Sequence, residues 1–248
     1  AKAGAIYNTN GTIRKITGDF VNNYAIAKSV ARGGAVYNDN IIEKITGNFI
    51  DNYTESTNNY AYGGAIYNIG RIENITGDFI GNYASSNSSY AYGGAIWNSV
   101  YITFSNSNFY NNYAKSESGT AQGGAIYAIN INADNGQSIF SGNYVEDTNG
   151  KRNEAVYAAS SSTKINLTAQ NNGTIRFDDT INGASGYNLN ITGDGTGTVA
   201  LYNDVTNAKV TTGNVTVDVA NNETRNYNFV SMTAGEDTKL NLDVNFAN

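Results

Sequence analysis

The chain has 248 residues with 27 Gly and 19 Tyr but no Cys, His or Pro, and its net charge is −6. Without Cys there is no disulfide framework or thiol nucleophile, and without His there is no Ser-His-Asp triad, imidazole-bound zinc or ordinary neutral-pH proton shuttle. The acidic balance argues against nucleic acid as the main partner, and 40% hydrophobic content fits neither a membrane span nor a charged disordered tail.

The opening Ala1-Lys2-Ala3-Gly4-Ala5-Ile6 falls inside a motif that recurs, so the chain reads as a fragment of a longer one. Gly-Ala-Ile-Tyr-Asn at 4–8 returns as Gly34-Ala35-Val36-Tyr37-Asn38, Gly64-Ala65-Ile66-Tyr67-Asn68 and Gly94-Ala95-Ile96-Trp97-Asn98. Gly124-Ala125-Ile126-Tyr127-Ala128 follows, then a degraded Glu154-Ala155-Val156-Tyr157-Ala158. The alanines at 5, 35, 65, 95, 125 and 155 set a period of 30. A second string keeps step between them: Phe20-Val21-Asn22-Asn23-Tyr24, with Phe recurring at 49, 79, 109 and 140 and Asn at 52, 82, 112 and 143.

Each repeat holds three short β-prone patches, near 5–8, 13–17 and 20–25 in the first, separated by Gly and Asn. Runs of good helix formers at 3.6 spacing are absent. Repeats of this kind, stacked about 4.8 Å apart, predict an all-β fold: a single right-handed parallel β-helix of about 30 residues per rung and roughly eight rungs. Stacking would place Ile6, Val36, Ile66, Ile96, Ile126 and Val156 in one apolar ladder and the Phe residues in another. The Asn of Phe-x-x-Asn would sit at a left-handed bend and bond to the Asn above. Gly pairs at 33–34, 63–64, 93–94 and 123–124 suit a sharp corner. The absence of Pro agrees, since every inner rung must donate its N–H groups.

The motif repeats cover 1–158. Over 159–248 the beat fades into alternating Thr-rich strands, such as Val215-Thr216-Val217-Asp218-Val219 and Leu240-Asn241-Leu242, read as degenerate rungs of the same solenoid.

Alternating Gly-Gly-Ala-Ile (63–66, 93–96, 123–126) and Phe-x-x-Asn (20–23, 49–52, 79–82, 109–112, 140–143) resembles the paired repeats of chlamydial-type polymorphic outer-membrane proteins. More broadly, the chain is similar to the passenger of a type V autotransporter. The resemblance implies a protein on the surface of, or shed from, a Gram-negative bacterium, joined to the outer membrane only through a C-terminal barrel outside this sequence. It also implies an adhesin or a self-associating surface factor.

The chemistry visible in the residues is sparse. β-Helices also host polysaccharide lyases and hydrolases, but the nearest acidic pair, Asp178-Asp179 beside Arg176, is adjacent and would face opposite sides of a strand. Asp19 and Asp78 alternate with Asn48, which breaks any carboxylate ladder for calcium. The reading is therefore a non-enzyme without metal or cofactor. The candidate binding face is the column Tyr7, Tyr37, Tyr67, Trp97, Tyr127 and Tyr157, expected to point outward because the Ile before each points in. It either binds sugar rings or partner aromatics, or it only stiffens the sheet. Polar segments 54–60, 85–90 and 115–120, at one repeat phase, are expected to protrude as loops. The partner is another copy of the chain or a host or biofilm glycan or protein; a passive stalk presenting another domain is the alternative, and a polysaccharide lyase or hydrolase the second alternative.

Overall fold

The 30-residue beat is one circuit of a coil. Ile6, Val36, Ile66, Ile96, Ile126 and Val156 pair side by side in a parallel nine-stranded sheet, here sheet I, that continues through Ile181, Val205 and Tyr227. The computed structural model describes residues 1–128, 131–134, 136–219 and 227–241, and among these there is no helix. The fold is a parallel β-helix with nine strands in sheet I.

Two further faces close the coil. Sheet II follows each strand of sheet I after a short corner and consists of two separate five-stranded parts, the first ending at Tyr101–Phe104 and the second beginning at Ile131–Asp134. Sheet III again has nine strands, from Phe20–Val21 to Lys239–Asn241. Its inward side chains are the expected phenylalanine column: Phe20, Phe49, Phe79, Phe109, Phe140 and Phe177 stack with centroids 4.3–4.8 Å apart. Identical residues stack because parallel pairing in register sets each side chain over its own kind at the strand spacing.

The turn after sheet III is held by an amide ladder. Asn23, Asn52, Asn82 and Asn112 each donate Nδ2 to Oδ1 of the next rung's Asn at 2.9 Å, and that Oδ1 also accepts the backbone N–H of the donating residue at 3.0 Å. From Asn52 onward the second Nδ2 hydrogen goes to the Phe carbonyl of the preceding rung, at 2.8–2.9 Å. The left-handed residue is not this Asn, as the sequence suggested, but the one before it: Asn22, Asp51, Gly81, Asn111 and Gly142 carry φ of 52–74°. The ladder Asn is needed in an ordinary conformation because its amide must lie along the stacking direction.

The sequence predicts three strands per rung, yet the first rungs contain more. After sheet III the chain leaves the coil through a strand such as Tyr53–Ser56, turns, and returns through Ala61–Tyr62 before re-entering sheet I at Ile66. Stacked, these excursions form a fin with its own two sheets. The outgoing sheet has six strands, from Tyr24–Ala27 to Gly150–Asn153, and the returning sheet has four, from Ala31–Arg32 to Ala121–Gln122. Its interior is made of small residues: Ala25, Thr54, Ala84, Ala114 and Val145 on the outgoing side, Ala31, Ala61, Ala91 and Ala121 on the returning side, all buried. Small side chains let the two layers approach closely, and Ser86 and Ser116 close the tip by accepting the N–H groups of Ser89 and Gly119.

Where the beat fades past 158, the rungs shorten. Sheet I strands advance by 25, 24 and 22 residues (156 to 181, 181 to 205, 205 to 227) where earlier rungs advance by 30. The connection from sheet III to sheet I spans 51–65 in the second rung but only 178–180 and 202–204 later. At these two connections the fin is absent. Sheets I and III run across the 158/159 boundary without interruption.

Candidate functional site

The fin divides the outer surface into two inner corners, one against sheet I and one against sheet III. The aromatic column lies in the first. Its rings stack from Tyr7 to Tyr157 with centroids 4.5–6.1 Å apart, so strand alternation does place all six outside the coil. They do not form the open face expected. The returning strands lay Arg32, Tyr62 and Tyr92 over them: the Arg32 guanidinium sits 5.5 Å from the Tyr67 ring, Tyr62 packs on Tyr67 and Trp97, and Tyr92 stacks on Tyr127 at 5.0 Å. Tyr37 and Tyr67 are consequently 4% and 8% exposed, Trp97, Tyr127 and Tyr157 are half-buried, and Tyr7 alone stands open at 53%. Because each inner ring has a neighbour on both faces, the column offers solvent its edges and hydroxyls.

Burial pushes the Tyr62 phenol up to about 12 and raises Tyr67, Tyr92, Tyr127 and Tyr157 in the same direction. These hydroxyls are neutral donors and acceptors at physiological pH.

The second tyrosine column, Tyr24, Tyr53, Tyr83, Tyr113 and Tyr144, stacks at 4.9–5.4 Å on the outgoing face of the fin. Tyr83 donates to Glu55 Oε1 at 2.8 Å, and the Lys151 ammonium closes the column 3.5 Å above the Tyr144 ring. The polar segments expected to protrude do so only in part. Thr54, Ser56, Ser86 and Ser116 belong to strands and are buried, leaving 57–60, 87–90 and 117–120 as the fin tip. There Tyr60 and Tyr90 stack on each other at 5.5 Å and on Tyr62 and Tyr92 at 5.5 and 5.6 Å.

Acidic residues end the fin. Among the described residues the last returning strand, Ala121–Gln122, has no further strand to pair with, and side chains take over its edge. Asp147 Oδ2 accepts the Ala121 N–H at 3.0 Å, Arg152 Nη2 donates to the Ala121 carbonyl at 3.0 Å, and Glu154 Oε1 accepts the Gly123 N–H at 2.8 Å. The outgoing sheet is closed by Gly150–Asn153, which pairs antiparallel with Tyr144–Asp147. Asp179 terminates the amide ladder in the same manner, accepting Asn143 N and Nδ2 at 2.9 and 2.6 Å and the Gly142 N–H and Asn153 Nδ2 at 3.0 Å each. A carboxylate suits that position because it only accepts. Burial pushes both the Glu154 and Asp179 carboxyls up, against these donors.

Asp147 differs. Burial alone would raise it, but the Arg152 guanidinium at 2.9 and 3.0 Å and the Ala121 and Asn149 N–H groups outweigh that and hold it at about 2. A carboxylate depressed by folding contributes its full stability above its unfolded value, about 3.9, and loses it as the pH falls toward the folded value. The contribution is about 1–2 kcal/mol, limited because Arg152 is over a third exposed and open to salt screening. Urea unfolding at about pH 5 and about pH 2.5 checks this: the native chain is expected to lose more stability across that step than Asp147→Asn. Equal losses would remove Asp147 from the cap.

The other acidic candidates are occupied in the scaffold. Asp178 accepts Arg176 Nε at 2.7 Å while its neighbour Asp179 is buried at the ladder end, so the two do not converge. Asp19, Asn48, Asp78 and Asn108 each accept a backbone N–H of the next rung at 2.7–3.1 Å. Among the described residues no group of three or more acidic side chains could hold a metal ion. A feature the sequence reading passed over is a second amide ladder inside the corner of sheets I and II, Asn8–Asn38–Asn68–Asn98, at 2.7–2.8 Å. It was visible as the last letter of each Gly-Ala-Ile-Tyr-Asn. The chain matches no protein-family model, no curated protein and no solved structure.

Proposed function

We propose that the chain is a binding scaffold of the adhesin or self-association class, part of an autotransporter-like passenger held at, or shed from, a Gram-negative cell surface. The fin carries this reading. The coil closes without it after residue 158, yet each of the first five rungs sends out the excursion, and Asp147, Arg152 and Glu154 finish its edge. A spacer has no use for such an addition; the finless rungs are themselves the spacer in this reading, lifting the fin from its anchor.

The tip supports a protein partner. It combines stacked tyrosines with Ser, Asn and Gly, a pairing of rigid amphipathic rings with adaptable hydrogen-bonding groups that suits protein recognition. The inner rings, already stacked on both faces, leave no face for a sugar ring, which favours a second copy of the chain over a glycan along the column. Repetition over five rungs adds weak contacts, and dense display at a surface multiplies them. Binding proceeds by surface complementarity, without catalysis or cofactor.

Sedimentation at rising concentration tests this. The native chain is expected to move from monomer to dimer and beyond. Tyr60→Ser with Tyr90→Ser, which alters the tip and leaves the coil core intact, should stay monomeric with an unchanged far-UV spectrum. A native chain that stays monomeric, or a variant that associates equally well, removes the tip as a self-association surface.

A further inference from the structure

Several departures from the repeat pattern gather at the corner of sheets I and II over the fourth to sixth rungs. Trp97 stands where the neighbouring rungs have Tyr. Ala128 stands where the ladder requires Asn, so the ladder stops there: Asn98, 3% exposed, still accepts Asn68 Nδ2 at 2.7 Å, and its own Nδ2 makes a long contact to the Ala128 carbonyl at 3.5 Å. Ala128 is also held at φ +61°, a conformation that Asn tolerates better than Ala. The two-residue corners of earlier rungs (39–40, 69–70, 99–100) give way to a five-residue turn, 159–163. That turn is braced internally: Ser160 and Ser162 hydroxyls lie 2.8 Å apart, and the Thr163 N–H reaches the Ser160 carbonyl at 3.0 Å. Sheet II is interrupted at the same level.

Together these departures open a concavity of about 600 Å³. Its described lining mixes hydroxyls and amides, among them Asn98, Ser162, Thr163 and Asn166, with the aliphatic Val100, Ala128 and Ala159 and the Trp97 and Tyr127 rings. Lys164 is the one charged residue among them. Donors and acceptors in this mixture match a polyol, the volume holds a small ligand, and the lone ammonium gives a carboxylate a counter-charge. We propose that this corner is a binding site for a carboxylated saccharide of one or two rings, held by hydrogen bonds to Asn98 and the 159–163 turn with its carboxylate on Lys164. Strain at Ala128 and the long Asn98 contact are the local cost of the opening.

Trp97 is the only tryptophan in the chain, so its emission reports this site directly. Titration with D-glucuronate at fixed ionic strength is expected to give a saturable change, with D-glucose several-fold weaker. Lys164→Gln, an exposed position, should abolish that preference while keeping the glucose response. Ala128→Asn extends the amide ladder into the space and should lose both responses while melting no earlier than the native chain. The Tyr60→Ser, Tyr90→Ser chain should bind glucuronate as the native chain does, which separates this site from the fin. No saturable change in the native chain, an undiminished response in Ala128→Asn, or an unaltered preference in Lys164→Gln would overturn the proposal.

Discussion

Replacing Gly64 by alanine is expected to lower stability by at least about 3 kcal/mol, or to prevent folding. An added Cβ would lie 2.1 Å from the Gly94 carbonyl oxygen and 2.3 Å from that of Tyr83. Both are backbone atoms, Tyr83 in a paired strand and the Gly94 carbonyl held by the Gly64 N–H at 2.9 Å, so neither can step aside as a flexible side chain would. The reason is topological: at the fin base the returning chain passes directly over the outgoing chain, at a distance only a bare α-carbon permits. Gly34 and Gly94 meet the same obstruction, each with a carbonyl 2.0 Å away from the added atom. The preceding Gly63, at φ +59°, makes the corner that sends the chain across. Gly11→Ala is the matched control, since its added Cβ meets nothing within 4 Å. Urea unfolding of the two variants should separate them widely; a Gly64→Ala chain as stable as Gly11→Ala would contradict the crossing.

Phe79→Ala is expected to cost about 3–5 kcal/mol. The ring is fully buried, stacked 4.7 Å from Phe49 and 4.8 Å from Phe109, with Phe104 edge-on at 5.9 Å. Its neighbours are fixed by hydrogen-bonded rungs on both sides, so the space cannot collapse and the loss includes the cavity as well as the transferred surface. A shift below about 1 kcal/mol in urea unfolding would place Phe79 elsewhere.

The coil was legible because its columns repeat identical residues. Phe at 20, 49, 79, 109 and 140 and Ile or Val at 6, 36, 66, 96, 126 and 156 give both period and facing. The fin was not, for the opposite reason. Its strands are two to four residues long and its interior, Val145 apart, is Ala, Ser and Thr, which carry little apolar signal against the polar background. A period of 30 conceals how much of each repeat lies outside the coil. Only the later rungs, which advance by 22–25, reveal it.

The aromatic column shows the same limit at the level of single residues. Alternation correctly put Tyr37 and Tyr67 outside the coil. What covers them is the phase occupied by Lys2, Arg32, Tyr62, Tyr92 and Gln122, whose identities change from rung to rung and so leave no repeat to notice. The capping carboxylates were invisible for a related reason. Asp147 and Glu154 act where a strand is missing, and a missing strand leaves no pattern. Asn8, Asn38, Asn68 and Asn98 needed only the inference already made for the other Asn column.

Two proposals stand together: that the fin is an addition to a coil that closes without it, and that association resides there. Both are tested by one comparison, sedimentation equilibrium of the native chain against a finless chain. In the latter each fin segment, 51–65 in the second rung and its counterparts, is replaced by a three-residue turn like 178–180. The account predicts that the finless chain folds with a β spectrum and a cooperative melt yet remains monomeric where the native chain associates. A finless chain that still associates would move the binding surface to the coil, and one that cannot fold would show the fin to be part of the coil itself.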